Sequence, residues 1–247
     1  MFKNKETAQR IEHKAKEFKL AIEKYQKLSL YMNFEWLIAI IIISLQGFTL
    51  VNLIQSYQHP GLFVLIFCFI IAYLATDFFN GLIHMMMDNN TQYTSVVGPF
   101  IAAFHLHHSK LKYTEKHPLI IYFNESGHKI WLAFYLVFLC LIQLKLHLNT
   151  ELNLILTLFG ILSSWAELSH FWCHNSSNSK IIIFLQKYYV LLSMKHHRLH
   201  HCQDNINYAF LNGLSDPLLN LIARFYYKGY KNNSDKHVDA YVKGLIH

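Results

Sequence analysis

The sequence is short of charged residues. Asp, Glu, Lys and Arg make up 15% of the 247 residues, whereas a soluble domain carries about 25%. Hydrophobic residues reach 53% and the mean hydropathy is +0.20, so the chain lacks the polar surface that a water-soluble fold needs. This composition excludes a soluble globular enzyme and a disordered chain, and it predicts a membrane protein.

Cysteine patterns that mark thiolate chemistry are also missing. The four cysteines form no Cys-x-x-Cys pair, so a disulfide framework, an iron–sulfur cluster and a structural zinc site are not expected. The His-Glu-x-x-His motif of zinc proteases is absent as well. Histidine, by contrast, is abundant, with 17 residues against 15 acidic ones. The chemistry of this chain is therefore expected to depend on imidazole.

Four apolar stretches are long enough to cross the hydrocarbon layer of a membrane, which needs about 20 helical residues. They cover approximately residues 36–54, 61–79, 130–148 and 152–174. Before them lies a basic stretch, residues 1–33, whose apolar residues recur at helical spacing. It is predicted to form an amphipathic helix that lies on the bilayer or caps the cytoplasmic side. The membrane domain is expected to cover 34–230, and a polar tail 231–247.

Basic residues predict which side of the membrane each loop occupies. Lys145 is the single Lys or Arg near the links on one side, and the other basic residues lie in the N-terminal stretch, the central loop and the region after residue 175. The bias of Lys and Arg towards the cytoplasm places both termini and the central loop inside, in the inner membrane if the protein is bacterial. Nucleic acid is not an expected partner, because the basic stretch directly precedes a hydrophobic segment. Twelve histidines share the predicted cytoplasmic side, namely His84, His105, His107, His108, His117, His128, His170, His174, His196, His197, His200 and His201.

The second apolar span ends in a polar stripe. Asp77, Gly81, His84 and Asp88 follow one another at intervals of four, three and four residues, which places them on one helix face. Ionisable groups inside or just below a membrane are costly and indicate function by default. The alternative is a buried Asp–His pair with a structural role.

The fourth span ends in a similar way. His170 and His174 form a His-x3-His pair, the spacing at which one helix chelates a metal ion, and Glu167 lies one turn earlier. Core packing is the alternative explanation for a pair of this kind taken alone.

The strongest motif is a histidine cluster after the last span. If the segment is helical, His196/His200 and His197/His201 form two pairs whose four rings occupy an arc of about 140°. Rings so close together are tolerable when they are neutral and bound to cations, which is the form in which imidazole ligates metal. An adventitious metal-binding tract is the alternative. The segment reads Lys195-His196-His197-Arg198-Leu199-His200-His201.

The central loop adds further candidates. His107 and His108 are predicted metal ligands, and His128 is included among the candidates because it lies at the start of the third span. His105 is either a third ligand of this loop or a bystander, whereas His117 is expected to be a loop residue.

Eight or more histidines with one or two carboxylates exceed the needs of one ion and suit two first-row metal ions. Imidazole-rich ferrous sites are typical of dioxygen activation. The expected fold is therefore all-α, a polytopic membrane protein with about four transmembrane helices and a cytoplasmic His-rich cap that holds a dimetal site.

These residues resemble one known family, the membrane lipid desaturases grouped with CarF and Kua. The group includes plasmanylethanolamine desaturase and the plastid phosphatidylglycerol palmitoyl desaturase. The resemblance covers about residues 70–220. It is carried by Asp77-x3-Gly81-x2-His84-x3-Asp88, Phe104-x2-His107-His108, His170-x3-His174, Leu185-Gln186, and Lys195-His196-His197-Arg198-x-His200-His201 with the later Tyr208 and Gly213.

The resemblance implies a non-haem enzyme with two iron ions. It would use O2 and two electrons to remove two hydrogens from adjacent carbons of an intact membrane phospholipid; in the plasmalogen branch a 1-O-alkyl ether becomes a vinyl ether. The functional positions that carry over are His84, Asp88, His107, His108, His170, His174, His196, His197, His200 and His201.

Carboxylates are expected to support these ligands. Asp77 is predicted to orient a ligand ring by accepting its second N–H, while Asp88 and Glu167 are each predicted to be a ligand or such a partner. No flavin, haem or dinucleotide motif is visible. The electrons are therefore expected from a separate donor, a ferredoxin or a small b-type cytochrome, that docks on the basic cytoplasmic face.

The substrate and the reaction stay open at this point. Met85 and Glu167 stand where the animal enzymes have Trp and Asn, and Asn205 stands where they have a further His. Segment 204–208 is more similar to the plastid branch, so an acyl chain and an alkyl ether are both possible substrates. Three other hypotheses are a lipid hydroxylase on the same site, a membrane b-type cytochrome or metal carrier, and a structural membrane protein.

Overall fold

The structure is a computed structural model that describes residues 2–56, 58–106, 117–175, 177–203 and 206–227, with side chains from residue 12 onward. Within these ranges every regular element is a helix, which confirms the all-α prediction. The helices are α1 (Phe2–Lys27), α2 (Ser29–Ser56), α3 (Leu62–Asp88), α4 (Gly98–His105), α5 (Pro118–Ser126), α6 (Ile130–Lys145), α7 (Thr150–His174), α8 (Lys180–Lys187), α9 (Met194–Cys202) and α10 (Asp216–Tyr226).

Three helices, α2, α3 and α7, are each long and apolar enough to cross a membrane. Helices α5 and α6 meet at an 81° bend and count as a fourth span only when they are taken together. The expectation of about four transmembrane helices is thus confirmed, although the boundaries differ. The predicted third span ends early, because α6 has 16 residues and stops at Lys145. The first span begins early, at Ser29, so residues 29–33 belong to it and not to the N-terminal helix.

The surface of this bundle is apolar where a soluble protein would be polar. Phe63 on α3 is 88% exposed and Phe134 on α6 is 70% exposed. The interior holds polar contacts instead, such as the bond from Asn80 Nδ2 to Ser163 Oγ, 3.1 Å, which joins α3 to α7. Such an outer face is suited to lipid chains, and interhelical hydrogen bonds stabilise the inner one.

Helices α3 and α7 pack side by side and bring their C-terminal ends to the same end of the bundle. Above this end, α1 buries Phe18 and Ile22 against α4 and Tyr93. Within the part of α1 whose side chains are described, these apolar residues are therefore covered by protein, which favours the capping alternative over a helix that lies on the bilayer.

The segment between α9 and α10 lies directly on α3 at Gly81. A Cβ atom at Gly81 would come within 2.9 Å of the Ala209 Cα and 2.5 Å of the Leu219 side chain. Only glycine permits this close approach. The segment consequently reaches the same end of the bundle as the histidines of α3 and α7.

Candidate metal centre

Four imidazoles from two helices converge at one point. Helix α7 supplies His170 and His174, and α9 supplies His197 and His201, each pair one turn apart. The Nε2 atom of His197 lies 2.9 Å from that of His170, 3.0 Å from that of His174 and 2.9 Å from that of His201. This four-histidine group offers four nitrogen ligands within 4.8 Å of one another, which is the spacing of ligands around one ion.

A second group lies beside it and is formed by two residues of α3 and one of α9. The Oδ2 atom of Asp88 is 3.3 Å from Nε2 of His84 and 3.2 Å from Nε2 of His200. All three side chains are buried. The carboxylate thus sits between two imidazole nitrogens, and we refer to His84, Asp88 and His200 as the three-residue group.

Backbone carbonyls decide which nitrogen of each ring faces this group. Nδ1 of His84 lies 2.7 Å from the carbonyl oxygen of Tyr208, and Nδ1 of His200 lies 2.8 Å from that of Ile206. A carbonyl oxygen only accepts, so each Nδ1 carries the proton and donates. When such a ring is neutral, its Nε2 lone pair faces the Asp88 carboxylate, which is also an acceptor.

Acceptors that face acceptors repel one another unless a cation lies among them. This arrangement, with N–H groups held by carbonyls and lone pairs turned inward, is the one that metal-binding histidines adopt. The donor set of imidazole and carboxylate, without thiolate, suits first-row metal ions such as iron. The residues present therefore fit the metal ions that the resemblance implies.

Helix α9 joins the two groups. His197 and His201 belong to the first and His200 to the second, with ring centroids 5.6 Å apart for His197 and His200 and 5.5 Å apart for His200 and His201. Across α3 and α7, the rings of His84 and His170 are 6.3 Å apart. The two groups are immediate neighbours.

The protein environment favours neutral rings. Burial lowers the pKa of the His197 imidazole well below its usual range, and the neighbouring imidazoles His170, His201 and His174 lower it further. Desolvation penalises the charged form, and the neutral form is the one that binds metal.

The comparisons with known proteins agree with this geometry. The family model of the lipid desaturase domain matches residues 73–228, which include every member of both groups. This chain belongs to the lipid desaturase family. It is 25% identical over 182 residues to the plasmanylethanolamine desaturase of Myxococcus xanthus, covering 71% of this chain and 63% of that protein. The chain thus spans less than two thirds of the length of this curated relative, and no solved structure matches it.

His196, which the family motif includes, lies outside both groups. Its Nε2 is 2.6 Å from Oδ2 of Asp216, whose Oδ1 accepts the backbone N–H of Ala209 at 2.8 Å. Asp216 did not appear among the sequence-based candidates. A signal was present, since Ser215, Asp216 and Pro217 mark a helix start, but a helix-start pattern does not indicate that its carboxylate will bind a histidine.

Asp77 has a role different from the predicted one. Its Oδ1 accepts the backbone N–H groups of Leu211, Asn212 and Gly213 at 2.9–3.2 Å, and its Oδ2 accepts N–H and Oγ–H of Ser215 at 2.9 and 2.6 Å. No ligand ring is among these contacts. Asp77 instead anchors the loop 211–215, which follows directly on the carbonyls that orient His84 and His200. Its described contacts therefore act on the backbone near these carbonyls and not on a histidine ring directly.

Glu167 and His128 belong to neither group, although Glu167 has a contact with a member of one. Glu167 Oε2 is 3.9 Å from Nδ1 of His170, on the side of the ring away from the other three histidines. His128 faces two carboxylates, with Nε2 3.4 Å from Glu35 and Nδ1 3.9 Å from Glu125. The role of His128 as a ligand stays a prediction.

Of the four remaining loop histidines, two lie outside the described residues and two lie within them. His107 and His108 lie outside the described residues. His105 has Nδ1 2.7 Å from the Tyr93 hydroxyl and Nε2 3.0 Å from the Met87 carbonyl, which favours the bystander interpretation. His117 caps α5 by accepting the N–H of Leu119, as expected for a loop residue.

Proposed function

We propose that this chain is an oxygen-dependent desaturase that introduces a C=C bond into a chain of an intact membrane lipid, with two iron ions in the adjacent groups. The observation that carries the proposal is the convergence of buried imidazole and carboxylate lone pairs at the ends of two candidate membrane spans. Iron held by imidazole with an open position supplies the chemistry that activates O2 for C–H cleavage.

The protein's own residues hold the ligands and keep water away. The carbonyls of Tyr208 and Ile206 hold the proton on Nδ1 of His84 and His200. The rings of Phe104 and Phe210 lie 5.5 and 5.2 Å from the His84 ring, so one side of the three-residue group is apolar. Phe210 is only 6% exposed, so these rings keep water from the His84 side of the group, which supports a reaction on a hydrocarbon chain.

The leading substrate is a 1-O-alkyl phosphatidylethanolamine, converted from the plasmanyl to the plasmenyl form. The relative from Myxococcus xanthus, which carries the name of that activity, supports this choice. An acyl chain of a phospholipid is the alternative substrate, and hydroxylation is the alternative outcome on the same two metal ions.

Two electrons would come from a separate ferredoxin or small b-type cytochrome. The exposed lysines of α1 offer a docking surface for such an acidic partner; Lys16 and Lys27, for example, have side chains 73% and 74% exposed, although each lies near a glutamate. The bias of basic residues supports a cytoplasmic position for both termini and for the metal site.

The geometry argues against the rival b-type cytochrome. A haem needs two imidazoles on opposite faces of the porphyrin, with the macrocycle between them. Neighbouring Nε2 atoms of the four-histidine group are 2.9–3.1 Å apart, which leaves no room for a macrocycle. The arrangement supports non-haem metal.

The test uses the purified chain in lipid nanodiscs with Fe²⁺, O2 and a reduced ferredoxin. We expect a product two hydrogens lighter than the substrate lipid. Acid lability of the new bond identifies a vinyl ether, and acid stability identifies an acyl-chain alkene. A gain of one oxygen would instead assign a hydroxylase. Active protein without iron or another transition metal would overturn the proposal, and a strong Soret band would revive the cytochrome.

A further inference from the structure

A lysine is buried among the helices that carry the metal ligands. Lys129 is 5% exposed and lies at the bend between α5 and α6. Its ammonium is 2.5 Å from Asn80 Oδ1, 2.6 Å from the carbonyl oxygen of Ser163 and 2.9 Å from Glu167 Oε1. Burying an ammonium is costly unless it is paired and hydrogen-bonded, and here all three partners come from α3 and α7.

This ammonium lies close to both ligand groups. It sits 5.0 Å from the centroid of the Phe210 ring. The same ring lies 5.2 Å from the ring of His84 and 5.2 Å from that of His170. Phe210 therefore contacts the lysine and one imidazole from each group, so a single aromatic ring links the ammonium to both ligand groups.

The lysine determines where the Glu167 carboxylate points. One oxygen, Oε1, is held by Lys129 at 2.9 Å, and the other, Oε2, lies 3.9 Å from Nδ1 of His170. At that distance the carboxylate acts on the ring through its charge and not through a direct hydrogen bond. A negative charge on the Nδ1 side favours a proton on Nδ1, which leaves Nε2 of His170 as the lone pair that faces His174 and His197.

We propose that Lys129 is a positioning residue of the metal centre. Its ammonium holds Glu167 beside Nδ1 of His170, and the carboxylate sets the tautomer of that ring and thereby the metal affinity of the four-histidine group. This inference rests on the proposed function only in requiring that the group binds a metal ion. The competing explanation is that the ion pair merely fixes the bend between α5 and α6.

A double variant separates these explanations. Lys129→Met together with Glu167→Gln removes both charges with little change of shape, so no unpaired buried charge is left to unfold the protein. Lys129→Arg keeps the charge beside Glu167. Lys145→Met is the matched control, because it makes the same change at an exposed lysine at the other end of α6.

The readout is Co²⁺ binding to the metal-free protein in detergent, measured by competition with a chelator and by the d–d absorption spectrum. We expect the double variant to bind Co²⁺ about 10–100-fold more weakly, the usual effect of losing a partner of a ligand, and to show a changed spectrum. Lys129→Arg and Lys145→Met should match the unaltered chain in both measurements.

Unchanged Co²⁺ affinity and spectrum in the double variant, whatever its melting temperature, would overturn the inference and leave the proposed function standing. If the unaltered chain bound no Co²⁺ or Fe²⁺, the proposed function would fall together with it. Should the double variant not fold, Glu167→Asp tests the second step of the inference, because it keeps a charge near Lys129 while it draws the carboxylate back from His170. A spectrum identical to that of the unaltered chain would again contradict the inference.

Discussion

The two ends of the helical bundle both bury polar side chains, but they do so in opposite ways. At the end away from the two ligand groups, amides of α2, α6 and α7 form a network. Gln143 Nε2 donates to Asn153 Oδ1 at 2.7 Å, Asn52 Nδ2 donates to Gln143 Oε1 at 3.4 Å, and Asn153 Nδ2 donates to Ser56 Oγ at 3.2 Å. Each of these contacts joins a donor to an acceptor, so this amide network satisfies itself.

At the end that carries the two ligand groups, which we call the metal end, hydrogen-bond acceptors face other acceptors. The Nε2 lone pairs of His84 and His200 both point at the Asp88 carboxylate, because carbonyls hold the protons on the far side of each ring. A buried polar cluster of the first kind stabilises helix association, whereas one of the second kind needs a cation. Whether the contacts join donors to acceptors or acceptors to acceptors therefore distinguishes a structural polar cluster from a functional one, whatever residue types form it.

The largest expected effect comes from removing one imidazole from the metal end. His200→Ala takes a ligand from the three-residue group and should lower product formation by more than about 100-fold, beyond the effect of losing a mere partner of a ligand. Lipid mass spectrometry of a host that expresses the variant measures it. Leu199→Ala on the exposed face of α9 is the control, and persistent product in His200→Ala would contradict the ligand assignment.

Asp88→Asn should convert the metal end into an amide cluster like that at the other end. The new Nδ2 group can donate to Nε2 of His84 or His200, so we expect the metal-free variant to be as stable as the unaltered chain or more stable, by about 1 kcal/mol. Metal affinity and product should fall together. Thermal unfolding of the metal-free protein measures stability, and iron analysis after metal loading measures binding. If the variant lost stability as well as metal binding, that result would argue against acceptors that face one another.

Asp77→Asn tests whether Asp77 supports the metal end through the backbone of loop 211–215. An amide accepts with one oxygen only, so the N–H and Oγ–H of Ser215 lose their acceptor, and hydrogen bonds to a charged group contribute about 1.5–3 kcal/mol. We expect a lower melting temperature and a partial loss of product at reduced metal affinity. Normal stability with complete loss of metal would instead indicate that Asp77 is a ligand.

The smallest effect on activity is expected at the amide network. Gln143→Leu removes three donor contacts of one side chain, to Asn153, Thr157 and the Thr49 carbonyl. The free energy of unfolding should fall by about 1 kcal/mol. Product per folded enzyme and bound iron should not change, because this network is at the other end of the bundle. A selective loss of iron would show that the two ends are coupled.

Helical periodicity was enough to predict which histidines lie next to each other on one helix. Pairs such as His170/His174 and His197/His201 share a face at a spacing of four, and this local geometry holds wherever the helix lies. The ends of the spans were less accessible to prediction, because hydropathy does not reveal that α2 extends back to Ser29 or that α5 and α6 meet at a bend.

Asp77 and His196 show where local reasoning stops. Both lie on the predicted polar faces, yet Asp77 binds loop 211–215 and His196 binds Asp216. Their partners are distant in the chain, and no periodicity within α3 or α9 indicates which of several polar groups will arrive there. The same holds for Lys129, an apparently ordinary basic residue at a helix start.

The amino-acid sequence by itself determined that this protein has helices apolar enough to cross a membrane and that two of its helices carry histidine pairs one turn apart. These properties follow from composition and from the 3.6-residue period, which are local. Only the tertiary structure decided how α9 divides its histidines between two groups, which nitrogen of His84 and His200 faces inward, and which carboxylates support the ligands. Those outcomes depend on backbone carbonyls and side chains that are brought together from separate helices, and their free energy exists only once the helices have packed.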